Sequence, residues 1–162
     1  MNDERTTRLD RMRFTKNTTS ANLALLAIIF NVCFFISIYE SDVGSWYYTI
    51  LVGGSILYNL IFMLAAFLSS EGIKNYKIGY SYLMIVLGII QIARIFIYPV
   101  KAHNTVVTIQ EQAVTAMGGG QFARTVLYLV LSAACLFAGA VVGIIRSRAL
   151  AGHLATLESK AA

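Results

Sequence analysis

Charge is scarce in this chain. Only 13% of its 162 residues are Asp, Glu, Lys or Arg, about half the roughly 25% of an ordinary soluble domain. A soluble fold of this length could bury a core but would lack the charge to cover its surface. With 57% hydrophobic residues, the apolar surplus points to lipid as the solvent. Cysteine is nearly absent as well. Cys33 and Cys135 both fall in apolar runs, too few for a disulfide framework or a cysteine zinc site, and read as small packing residues. His103 and His153 are expected on opposite sides of the membrane and cannot share a metal. No carboxylate falls inside any apolar run, so the usual proton relay is missing. There is no phosphate-binding glycine loop and no nucleophile elbow. The expectation is therefore a chain that is not an enzyme, with no catalytic residues, cofactor or metal.

What is present is four long apolar segments, about residues 22–39, 46–68, 78–98 and 125–145. Each comes close to the ~20 helical residues that a bilayer requires. No β-barrel alternation is visible, and a helix satisfies its own backbone in lipid. The single proline, Pro99, lies just past the third run, where it stops a helix without breaking one. The predicted fold is all-α: a polytopic membrane protein whose four transmembrane helices form an up-down bundle. The divisions are a basic tail, 1–19, a transmembrane domain, 20–146, with an outer loop, 99–124, and a C-terminal tail, 147–162. The first apolar run ends in Tyr39-Glu-Ser-Asp42, without the small residues of a cleavage site, so no cleaved signal peptide is expected.

Positive charge orients the bundle. Arg5, Arg8, Arg11, Arg13, Lys16, Lys74, Lys77, Arg146, Arg148 and Lys160 fall on one side, and Lys101 and Arg124 on the other. Ten against two places both termini in the cytoplasm, within a bacterial cytoplasmic membrane. The clustering of charge at span ends argues for lipid headgroups as its partner and against nucleic acid. Tyr39, Trp46, Tyr47, Tyr48 and Tyr98 mark the outer interface; Tyr76, Tyr80 and Tyr82 mark the inner one. The basic tail, with Leu9, Met12 and Phe14, reads either as a short amphipathic surface helix or as a disordered tail that only fixes topology.

In the outer loop, Val106, Ile109, Ala113 and Met117 recur at helical spacing, with Asn104 or Thr105 as a cap and Gly118-Gly119-Gly120 as the stop. That predicts a short surface helix. The Val106–Ile109 run alternatively reads as a strand of a hairpin.

Polar residues within spans are the informative ones. Asn31 and Asn59 lie at similar depth on antiparallel neighbours, each with small residues on its face, and are expected to meet near the bundle centre. Gln91 and Arg94 share a face with Tyr98. An arginine at the centre of a span costs about 2.5 to 3.5 kcal/mol to insert. Arg94 lies roughly 9 Å outward of the midplane, so it either snorkels to the headgroups or faces protein. In the second case Glu40, Asp42 or a backbone carbonyl is its expected partner; Lys101 and His103 read either as a small outer-face polar cluster with Glu40 or as part of a solvated loop. These four intramembrane residues serve either as packing glue or as the lining of a solute path. Gly139 and Gly143 on the fourth span allow close helix contact, within the bundle or onto a partner.

Four stretches, Arg11-Met-Arg-Phe-Thr-Lys-Asn-Thr-Thr-Ser-Ala-Asn22, Phe35-Ile-Ser-Ile-Tyr-Glu-Ser-Asp42, Ser70-Glu-Gly-Ile-Lys-Asn-Tyr-Lys77 and Arg94-Ile-Phe-Ile-Tyr-Pro99, resemble a group of uncharacterised four-helix membrane proteins of Firmicutes-type bacteria. The resemblance implies company with sugar importers of the ATP-binding-cassette class and carries no assigned active site. The expected function is an accessory or structural subunit of a larger membrane assembly. The alternative is a small homo-oligomeric transporter or channel with a path lined by Asn31, Asn59, Gln91 and Arg94. Partners on either reading are the bilayer and other membrane subunits or further copies of the chain.

Overall fold

The computed structural model describes residues 16–38, 46–109 and 112–161. Four long helices make the fold: α1 (Thr18–Ile38), α2 (Trp46–Lys74), α3 (Ile78–Ile97) and α5 (Gly119–Ala161). Between α3 and α5 come a short α4 (Pro99–Asn104) and a hairpin of β1 (Val106–Ile109) and β2 (Gln112–Thr115). All four long helices are long and apolar enough to cross a membrane. The molecule is a multi-pass membrane protein, with α5 packed chiefly on α1 and α3, and α2 closing the other side of the bundle.

Small residues set the spacing. The inward face of α1 carries Ser20, Ala21, Ala24, Ala27 and Asn31, all buried. Such a face lets neighbouring backbones approach until side chains reach the next helix's carbonyls. Ser20 Oγ donates to the Gly139 carbonyl, Ser132 Oγ to the Ala27 carbonyl at 2.9 Å, and Ser70 Oγ to the Ala21 carbonyl at 3.1 Å. Gly139 and Gly143 are the α5 side of this fit. A Cβ at Gly139 would sit 2.6 Å from Met84 Cε, and one at Gly143 would sit 2.2 Å from Ile73 Cδ1. Their close contacts are thus made within the bundle. Phe34, Phe62, Ile73, Met84, Leu129 and Leu136 fill the remaining interior. Leu57, Leu60, Ile61 and Leu64 on α2 and Ile89 and Phe96 on α3 face outward, a surface that suits lipid and would be a liability in water.

α2 ends in a paired-carbonyl cap. The Lys77 N–H reaches the Gly72 carbonyl at 3.1 Å and the Tyr76 N–H reaches the Ile73 carbonyl at 3.0 Å, the Schellman arrangement that requires a left-handed residue. That residue is Tyr76, at φ 59°, where glycine is the usual choice.

The segment between α3 and α5 differs from the predicted surface helix. Pro99 opens α4 at its first turn, and the chain then forms an antiparallel hairpin with Val106 opposite Thr115 and Ile109 opposite Gln112. Five β-branched residues in succession, 105–109, favour a strand over the helix that the apolar spacing imitates. The three glycines also act differently from the expected helix stop: α5 begins at Gly119.

α5 has 43 residues, about 64 Å of helix against roughly 30 Å of hydrocarbon. The fourth span was expected to end at Ile145, with a tail over 147–162. Ser147 is the last buried residue described, and the helix itself runs on to Ala161 through an alanine- and leucine-rich stretch that contains no proline.

Candidate functional site

Six polar side chains from all four long helices converge in the bundle interior. α1 brings Asn31, α2 brings Ser55 and Asn59, α3 brings Gln91 and Arg94, and α5 brings Ser132. None is more than 3% exposed. They meet because each lies on the inward face of its helix at comparable depth. Asn31 follows Ala24 and Ala27 at helical spacing, and Gln91 and Arg94 follow Met84 and Gly88.

Asn31 and Asn59, which the depth argument places opposite one another, are joined by a bond from Asn31 Nδ2 to Asn59 Oδ1 at 3.1 Å. Arg94 NH1 donates to Asn31 Oδ1 at 2.9 Å and to Gln91 Oε1 at 3.1 Å. Arg94 NH2 donates to Asn59 Oδ1 at 3.1 Å and to Ser55 Oγ at 3.3 Å. Four of the five guanidinium N–H groups are thereby used on neutral oxygens. Gln91 Nε2 links onward to Asn31 Oδ1 at 3.0 Å and to Ser132 Oγ at 3.1 Å. Aromatic faces complete the cage: the guanidinium carbon lies 4.2 Å from the Tyr58 ring centre, 4.5 Å from that of Phe34 and 5.7 Å from that of Tyr98, within cation–π range. Three polar atoms in the cage, Arg94 Nε, Asn59 Nδ2 and the Tyr58 hydroxyl, are buried without a hydrogen-bond partner.

Arg94 thus faces protein, and Gln91 supports it. Its bonds go to side chains at its own depth. The expected outer-face partners Glu40 and Asp42 lie outside the described residues. Lys101 is exposed. The His103 ring stacks on Phe122 at 4.7 Å, with Nδ1 3.1 Å from the Met117 carbonyl oxygen, so it ties α4 to the start of α5 and stands apart from the cage. Gly139 and Gly143 contribute packing between helices. The rings of Phe34 and Tyr58 are the cage members that sequence reasoning missed. The available signal was spacing, since Phe34 lies one helical turn after Asn31 and Tyr58 is adjacent to Asn59.

Chemically the cage can hold a cation and lock four helices in register. No carboxylate, histidine or cysteine is among the side chains bonded in it. Among the described residues no three His, Cys, Asp or Glu side chains gather to hold a metal ion. Comparison with protein-family models, with curated proteins and with solved structures finds no match to this chain.

Proposed function

We propose that this chain is an accessory or structural subunit of a larger membrane assembly. The observation that carries this reading is the closure of the Arg94 cage. Its polar side chains bond to one another across all four long helices, and four of the five guanidinium N–H groups are used within it. Such a network fixes helix rotation and register, and leaves the lipid-facing surface and the two ends of the bundle for partners. The excess of Lys and Arg at the end bearing both termini orients that end toward the cytoplasm of a bacterial cell. A sugar importer of the ATP-binding-cassette class is the assembly that the family resemblance implies.

One observation favours a second reading, a small homo-oligomeric transporter or channel. The spare donors on Arg94 and Asn59 would give a solute acceptor something to bind. Affinity purification from native membranes in mild detergent, followed by mass spectrometry, separates the two. The subunit reading expects a stoichiometric membrane partner. Recovery of the chain alone as an oligomer, with solute flux in proteoliposomes that Arg94→Leu abolishes, would overturn it in favour of the second.

A further inference from the structure

α1 and α2 are tied at two levels. Toward the end that bears the termini, Ser70 Oγ reaches the Ala21 carbonyl at 3.1 Å. Near mid-span, Asn31 meets Asn59. Beside that second tie the small residues give way to bulkier ones. Val32 and Phe35 on α1 and Ile56, Leu60 and Met63 on α2 line a cleft of about 110 Å³. It opens to lipid, since Val32, Ile56 and Leu60 are 38%, 42% and 57% exposed. Asn31 and Asn59, both buried, complete its lining.

The two amides differ in what they have left to offer. Both polar atoms of Asn31 are bonded within the cage. Asn59 accepts through Oδ1 from Arg94 NH2 and Asn31 Nδ2, while its own Nδ2 is buried without a partner. The amide cannot be turned over, because its nitrogen would then face two donors. With the oxygen committed to Arg94, the nitrogen is turned away from the guanidinium. Bonds accepted by the oxygen polarise the amide and strengthen its N–H groups as donors. A donor of this kind left unmade in a buried place is costly.

Depth, size and charge narrow the acceptor that would satisfy it. A buried water needs two to four polar partners, and the accessible lining of the cleft is apolar. α1 spans Thr18–Ile38, so its middle falls at Ile28 and Asn31 lies about 5 Å beyond it. The ester carbonyls of a phospholipid sit at the edge of the hydrocarbon, about 15 Å from the midplane, and its acyl chains carry no acceptor. An anion would have to shed its water in hydrocarbon. What remains is a neutral molecule that dissolves at mid-membrane with a carbonyl on its body. A cavity of about 150 Å³ accepts benzene; this smaller one is open on one side, so a flat ring enters edge first. Met63, one turn beyond Asn59, has a side chain that leans back over that residue and is flexible enough to turn aside for a ligand.

We propose that the α1–α2 cleft takes the ring of a neutral, membrane-dissolved quinone, with Asn59 Nδ2 donating to one ring carbonyl. This goes beyond both readings of the chain's role, since a bound ring neither requires nor excludes a partner subunit. The test uses the full chain in phosphatidylcholine nanodiscs and a decyl azidobenzoquinone as photolabel. Mass spectrometry should place the label within 32–35 and 56–63. Decylbenzoquinone should compete at least about fivefold more strongly than decylbenzene, the difference that one hydrogen bond makes. Leu60→Trp, whose ring leans over the cleft from a lipid-facing position, should remove most of the labelling with the melting temperature unchanged. Equal competition by decylbenzene would overturn the proposal, because the cleft would then take hydrocarbon alone. Label spread over the outward faces of all four long helices would overturn it too. The competition needs only the native chain, so it decides even where the tryptophan variant fails to fold.

Discussion

Neutral oxygens do the work of a counter-ion around Arg94. Its four bonded N–H groups all end on amides or a hydroxyl, and three aromatic faces surround the rest. Each acceptor therefore stabilises a charge that has nowhere else to go, and its loss costs more than an ordinary hydrogen bond. Asn31→Leu is expected to destabilise the bundle by about 2–4 kcal/mol while Arg94 is present. In an Arg94→Leu background the same change should cost only about 1 kcal/mol, the usual worth of an interhelical amide bond. Unfolding of the four cycle members in mixed micelles measures the coupling, and additivity of the two changes would show that the cage is not a unit. Arg94→Lys should recover only part of the stability, because an ammonium cannot present two parallel pairs of donors to Asn31, Gln91, Asn59 and Ser55; the same unfolding assay reads this out. The residue types of the cage were legible in the sequence, since an amide or a charge in a span is conspicuous. Their mutual partners were less so. Depth alone pairs Asn31 with Asn59, but the partners of Arg94 depend on the rotation of α1 and α2 about their axes, which a single sequence does not specify.

At the scale of elements, two local features make opposite predictions about glycine. Tyr76 holds a left-handed conformation that costs a side-chain-bearing residue about 1 kcal/mol. Tyr76→Gly should therefore raise stability by up to about that amount, read as a higher melting temperature in detergent. An unchanged or lower value would mean that contacts of the ring outweigh the backbone strain. Gly143 is the reverse. A methyl there meets Ile73 and Ser81 at 2.2 and 2.6 Å, so Gly143→Ala should cost about 1–3 kcal/mol through overpacking. Gly152, with nothing near it, should tolerate alanine and gain up to about 1 kcal/mol of helix propensity; the same melts compare all three. The hairpin shows why element type was harder to read outside the membrane than within it. Apolar runs of about 20 residues admit one solution in lipid. Val106, Ile109, Ala113 and Met117 fit the helical period, and the β-branched run overrides it in favour of strand.

For the whole molecule, the proposed orientation has a direct test. Single cysteines at Asn75 and Ser159 should react with an impermeant maleimide only after the membrane is opened. Cysteines at Asp42 and Glu111 should react in intact cells. Labelling of position 75 from outside would reverse the assignment. The number of spans and the pairing of the bundle's two ends follow from hydropathy and charge. The length of α5 does not, because nothing in its tail separates a helix that projects from a segment that ends with the span.

The order of the cage residues along the chain has a consequence for how the protein is made. Asn31, Ser55 and Asn59 all precede Arg94, and Gln91 lies one turn before it on the same helix. Of the hydrogen-bonded members only Ser132 follows, and it touches Gln91. When α3 leaves the ribosome, every oxygen that receives its guanidinium has already been synthesised, on the two helices ahead of it or, for Gln91, on α3 itself. The arginine need not wait in hydrocarbon for a later segment. Biogenesis can thus proceed strictly from the N-terminus, with α5 added last to a three-helix intermediate whose charge is already housed. Glycosylation-mapped insertion of nascent chains ending after α3 should therefore fall when Asn31 and Asn59 are both leucine, and should be indifferent to Ser132.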